Sequence, residues 1–300
     1  MSFWELANFV VKFVNLAAMA SVLGGGFSYF LMYRLGVTVG GRHLSYMRWG
    51  ALTGLFATPL YFLIQVGSIN QTGLPGLFDY QIARILADSG VGISSILRIL
   101  GYVLGLLVVK ELFSAHQRGV SLTTVSKSLL VAAYLLSAVL LTGSFSYTGH
   151  TVELGPAGHI AISAHVMAVF AWIGALFPLV LPTQGTDIPV VQRLMKIFGN
   201  WALLIVAVLV ASGIYLSLSL IDLRGELLGS AYGSAFLSKL IIVACLLLLA
   251  ASNKFQIVPK LGIAGYAQTL RQTITVEIVL AILVLALTAY FTSVAIGSHG

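Results

Sequence analysis

Eight stretches of this chain are each long and apolar enough to cross a bilayer as a helix. No other feature limits its folding so strongly. They lie near 9–33, 48–69, 92–113, 126–144, 158–182, 196–221, 232–251 and 273–297. About 20 apolar residues span the hydrocarbon as a helix. Inside lipid every backbone N–H and C=O must bond within the protein, so uninterrupted runs of this length form helices. Composition agrees: 59% of residues are hydrophobic, only 8% are charged, and mean hydropathy is +1.01. Soluble domains carry about 25% charged residues. The connecting segments are too short for a separate soluble domain. The expected fold is all-α, a single transmembrane domain over residues 1–300 with about eight membrane helices. The first run is read as a retained span, because Glu5 precedes it and no basic leader region does. Gly50 and Gly54, and Gly101 and Gly105, are small-residue pairs that let helix backbones approach closely. Pro59 is expected to kink the second span.

The basic residues orient the bundle. Arg34, Arg42, Arg48, Lys110, Arg118, Lys127, Arg193, Lys196, Lys254, Lys260 and Arg271 fall on one side, eleven in all; Lys12, Arg84 and Arg224 fall on the other. Cytoplasmic loops hold the excess of Lys and Arg, so both termini are expected outside, in a multi-pass protein of the inner (plasma) membrane. The net charge of +7 then reflects cations at helix ends facing a lipid bilayer, not a nucleic-acid surface. The one cysteine, Cys245, excludes an intramolecular disulfide and a thiolate-rich metal site.

Chemistry concentrates in SYTGHTVELGPAGHIAISAHVMAVFAWIG, which holds three of the six histidines, His150, His159 and His165. Histidine is rare in hydrocarbon, is the commonest metal ligand and titrates near neutral pH. His159 and His165 are six residues apart, about 9 Å and 120° on one straight helix, too far to share an ion. Pro156 and Gly158 suggest that the helix begins near His159, leaving that residue on a flexible start. His150 can then fold back, with Glu153 or His299 as a fourth ligand. Imidazole suits copper, zinc, nickel and iron. The ligand set favours Cu(II) or Zn(II) at the surface, and Met19 and Met167 in the outer halves of spans one and five leave Cu(I) open deeper in.

Three cations lie in the outer halves of spans: Lys12, Arg98 and Lys239. They are read as snorkelling, as an ion-pair network, or as a clamp for haem propionates. Glu277 is an acid inside a span, one turn from its inner end, and Arg271 or Lys254 is its expected partner. Trp172 is read as packing or interface belt, and Asn253 as an interhelical hydrogen-bonding residue.

Taken together, several segments resemble the copper resistance D (CopD) family. They are GHIAISAHVMAVFAWIGALFPLVL at 158–181, YGSAFLSKLIIV at 232–243, ASNKFQIVPKL at 251–261 and LRQTITVEIVLAILVLALTAYFTS at 270–293. The resemblance covers roughly 150–295. His165 stands at the family's histidine of the fifth span. Trp172 and Gly174 match the Trp-x-Gly-Gly element, with Ala175 at its second glycine. Tyr232, Gly233, Lys239, Asn253, Lys254 and Glu277 match further family positions.

The resemblance implies copper uptake across the inner membrane with a periplasmic copper-binding partner of the CopC type. On that reading the chain is not an enzyme, and copper arrives at the outer face through His150, His159 and His165. Met19, Met167, Trp172, Lys239, Asn253 and Glu277 would support the site or its path. No nucleotide-binding loop or phosphorylatable Asp motif is present, so transport would not be driven by ATP. The alternatives are a b-type haem or quinone redox protein, and a membrane receptor for a periplasmic partner docking on the loops at 70–91 and 145–158.

Overall fold

The computed structural model describes residues 2–37, 39–120, 122–184, 187–220 and 231–294, without the side chains of His150, Thr151, Leu220, residues 231–236 and Val294. Its long helices are α1 (Phe3–Arg34), α2 (Gly41–Asn70), α4 (Gly90–Arg118), α5 (Thr124–Gly143), α6 (Pro156–Val180), α7 (Ile188–Leu220), α8 (Ala231–Ser252) and α9 (Tyr266–Val294). Each of the eight belongs to a segment long and apolar enough to cross a membrane. Among the described residues there is no strand. The fold is a polytopic helical bundle, as its hydropathy requires. Eight crossings bring the chain back to the face on which it began, called here the first face.

One further helix, the short α3 (Tyr80–Ala87), lies between α2 and α4, in a segment the sequence reading treated as loop. Asp79 caps it by accepting from the backbone N–H groups of Gln81 and Ile82, and its other oxygen takes the Asn70 amide at 2.7 Å. α1 opens on a capping box in which Ser2 and Glu5 satisfy each other's backbone N–H. α2 runs through Pro59 without ending.

α1 and α6 form the centre. α1 packs on α2, α6 and α9, while α6 also meets α5, α7 and α9. The two axes come so close that a Cβ at Gly174 would meet the Ala20 carbonyl oxygen, and one at Gly24 would meet the Gly174 backbone. Ala175, where the family pattern has a second glycine, is fully buried. Lipid tails give no hydrophobic drive between helices, so close backbone approach and interhelical hydrogen bonds hold such bundles together. Tyr46 donates to the Gly174 carbonyl at 3.1 Å, Tyr102 to the Asn15 carbonyl at 3.1 Å, and Ser137 to the Gly101 carbonyl at 2.7 Å. The paired glycines serve this packing: Gly54 faces the Tyr102 ring, Gly50 the Ser21 side chain, and Gly101 the Leu141 side chain.

α8 does not end as a regular helix. Asn253–Ile257 form a wider π turn in which the Val258 N–H bonds the Asn253 carbonyl, five residues back. A tighter 3₁₀ turn, Val258–Lys260, follows. Pro259 has no N–H and cannot continue an α-helix, which makes the change of winding local to it. Gln192 of α7 donates to the Val258 and Pro259 carbonyls at 2.9 and 3.1 Å, supplying donors at the helix end.

Candidate functional site

The histidine-bearing segment starts with a helix. Gly155 is the N-cap of α6 and Pro156 its first residue, and the His159 N–H already bonds the Gly155 carbonyl at 3.2 Å. Proline suits the first helical position, since it lacks an N–H and has a helical φ. His159 therefore sits in the first turn of a regular helix, not on a flexible start as the sequence suggested. The 9 Å and 120° of six helical residues then separate it from His165. Its ring Nε2 is buried and has no hydrogen-bond partner.

His165 lies nine residues into α6, roughly 14 Å below the first-face end of that helix. Its Nδ1 is 3.2 Å from the Leu209 carbonyl and 3.2 Å from Ser212 Oγ, both on α7. A carbonyl only accepts, so Nδ1 carries the hydrogen. Ser212 already donates to the Val208 carbonyl at 2.5 Å and so can accept from the imidazole. Gly213 makes room for the ring: a Cβ there would stand 3.3 Å from its Cε1. With Nδ1–H committed, the Nε2 lone pair is the one left for a ligand. Metal-binding histidines typically have this arrangement, with the second ring N–H held by a carbonyl.

The remaining expected ligands are less defined. His150 and Glu153 belong to the short 3₁₀ turn Gly149–Glu153 just before α6. Glu153 is exposed, and the His150 side chain lies outside the described residues. His299 also lies outside them. Among the described residues, no three His, Cys, Asp or Glu side chains are grouped to hold a metal ion. Met19 is fully buried, and Met167 packs on the same cluster with Leu23 and Phe170. Both fill the core between α1 and α6.

Lys239 of α8 stands close enough to His165 for their charges to interact. An ammonium beside the imidazole opposes a second cation there. At an effective dielectric near 20 the repulsion between unit charges is roughly 1–2 kcal/mol at about 8–16 Å. Lys239→Met is expected to tighten copper binding by roughly tenfold, measured by competition against a chelator. Unchanged or weaker affinity would show that the ammonium does not act on the bound ion.

Seven residues beyond His165, on the same face of α6, Trp172 is 3% exposed and lines a cavity of about 260 Å³. α6, α7, α8 and α9 enclose it in the half of the bundle away from the first face. Glu277, Asn253 and Lys254 are its polar residues. Glu277 is 3% exposed and bonds neither Arg271 nor Lys254, the partners expected from sequence. Asn253 Nδ2 donates to its Oε1 at 2.7 Å, and Thr273 donates to Asn253 Oδ1 at 2.5 Å. Lys254 instead reaches Asn200 Oδ1 at 2.6 Å. The π turn brings Asn253 to the carboxyl group, a placement invisible to hydropathy. Asn253→Ala is expected to cost about 1–3 kcal/mol in a detergent unfolding assay, because a buried acceptor loses its donor. The same change in a Glu277→Leu background should cost far less, and equal costs would deny the coupling.

Among the described residues, Lys12 and Arg98 near the first face pair with no acid. Arg98 is 7% exposed, donates to Ser144 Oγ at 3.0 Å, and lies 5.2 Å from the Phe145 ring centre and 5.7 Å from that of Tyr61. Lys12 approaches the same Tyr61 ring at 6.0 Å and donates to the Thr292 carbonyl. Aromatic faces and polar oxygens thus replace the expected ion-pair network. His43, which falls between the first two apolar stretches of the sequence (9–33 and 48–69), is a buried residue of α2 whose Nε2 is 2.8 Å from the Gly25 carbonyl. It lies at the opposite end of the bundle from His165, so the two do not form an axial pair for haem.

The comparisons bear on the same helices. The family model described as Copper resistance protein D matches residues 192–291, which run from α7 through α9. No curated protein and no solved structure matches the chain. The matched segment holds Leu209 and Ser212, which contact His165, and Asn253, Lys254 and Glu277, which bound the inner cavity. With its eight apolar helices, the chain is a multi-pass membrane protein whose last third, from α7 to α9, is similar to the copper resistance D family.

Proposed function

We propose that this protein takes up copper at the periplasmic face of the inner membrane and passes it inward beside α6. His165 is the central ligand. His150 and His159, nearer the first face in the turn before α6 and in its first turn, would receive the ion with His299 or Glu153 and pass it down to His165. Imidazole donors suit copper, and the oxidation state bound follows from the full ligand set. A periplasmic protein of the CopC type would deliver the ion to the turns between α5 and α6.

The observation that carries this reading is the anchoring of His165. Its Nδ1–H is held by α7, within the segment that matches the copper family, and its Nε2 is left for a ligand. The unpartnered Nε2 of His159 adds a second imidazole nitrogen on the same helix.

Uptake is tested in proteoliposomes loaded with a copper-responsive dye. Added copper should enter through the wild-type protein and fail to enter through His165→Ala. Equal entry through both would refute His165 as the entry ligand. Tight binding without entry would favour a copper receptor over a transporter.

A further inference from the structure

The cavity below Trp172 lies within the membrane-crossing segments, so a ligand reaches it most readily from the lipid. Its wall is almost wholly apolar, with Trp172, Phe198 and Met195 presenting flat or polarisable surfaces. At its polar end Glu277 has one oxygen taken by Asn253, while no hydrogen bond engages the other among the described residues. Lys254 gives one of its three donors to Asn200 and keeps two. Gly199 lets the lysine lie across α7, since a Cβ there would press on the Lys254 side chain.

These groups select a ligand by exclusion. A hydrated ion gains nothing from an apolar wall, and a bare cation meets the Lys254 ammonium. A fatty acid or phospholipid phosphate meets the Glu277 carboxyl group. The favoured head is neutral and flat, donates a hydrogen bond to Glu277 and accepts one from Lys254. Its body must be apolar and lipid-soluble. Sites of this type, mostly apolar with a few convergent polar groups, are the usual form of small-molecule pockets.

We propose that this cavity binds a quinone or quinol, its ring against Trp172 and Phe198 and its oxygens toward Glu277 and Lys254. The assignment is independent of copper uptake, because His165 lies on the other half of the bundle.

The test is a titration of the purified protein with decyl-ubiquinol, followed by tryptophan fluorescence. Saturable quenching is expected, most of it lost in Trp172→Phe. Glu277→Leu should weaken binding at least tenfold. Ala202→Phe, which adds a ring to the cavity wall without touching its polar end, should abolish binding while copper binding persists. If Glu277→Leu fails to fold, n-decanol in competition with wild-type protein decides the role of the head. Displacement of the quinol by decanol at equal concentration would overturn the proposal, because the polar end would then contribute nothing. Undiminished quenching in Ala202→Phe would overturn it as well.

Discussion

His165→Ala should reduce copper bound by the purified protein from a defined stoichiometry to background, with an affinity loss of at least about 100-fold. The argument is geometric. Removing the imidazole removes a half-buried nitrogen whose opposite ring atom is anchored by α7. Ser212→Ala tests the anchor separately. It leaves the Leu209 carbonyl in place and removes the hydroxyl, so the loss should be smaller, near tenfold, as for outer partners of metal ligands. Metal analysis of the two variants beside wild type reads both effects. Unchanged stoichiometry in His165→Ala rejects the site. A Ser212→Ala loss equal to that of His165→Ala would mean that packing, not ligation, was disturbed.

The second large effect is structural. Gly174→Leu places a branched side chain where α6 touches the backbone of α1 at Ala20 and Gly24. The obstructing atoms are backbone, so no rotamer change relieves the clash, and the helices must separate. Overpacking typically costs about 1–3 kcal/mol and occasionally more. Here separation would also forfeit the close contact of the central pair and strain the Tyr46 bond to the Gly174 carbonyl. No monodisperse folded protein is expected from this variant in detergent. Gly174→Ala should fold but melt well below wild type. A leucine variant that elutes and melts like wild type would disprove the close approach. Copper binding need not be measured, so this prediction stands apart from the first.

The two predictions differ in how far residue order alone supports them. Gly174 was visible as part of a Trp-x-Gly pattern, but its neighbour across the interface was not. Ala20 and Gly24 lie some 150 residues earlier, in a half of the chain outside the resemblance. His165 stood out because an ionisable group is costly in hydrocarbon and seldom occurs there without a role. Its anchors, Leu209 and Ser212, carried no signal: one acts through a backbone carbonyl, the other through a hydroxyl common in membrane helices. His43 fell between two apolar stretches for a related reason. Its surroundings, Arg42 and Arg48, are polar, yet α2 begins at Gly41 and seats the ring against α1. Likewise Glu277 was expected to find a cation. The widened turn at Asn253 gave it an amide instead, and that turn leads into Pro259, seven residues beyond the end of α8.

What residue order determined by itself was the number, length and type of the crossing elements. The free energy of placing a side chain in lipid is a local, additive quantity, summed along some twenty residues at a time. Which helix faces which was decided only in three dimensions. Between spans the selection rests on small residues, single hydrogen bonds and one change of helical winding, each weak in isolation and meaningful only against a particular partner. The anchoring of His165 by α7, the aromatic cage around Arg98 and the carboxyl-bearing cavity all arise from such pairings.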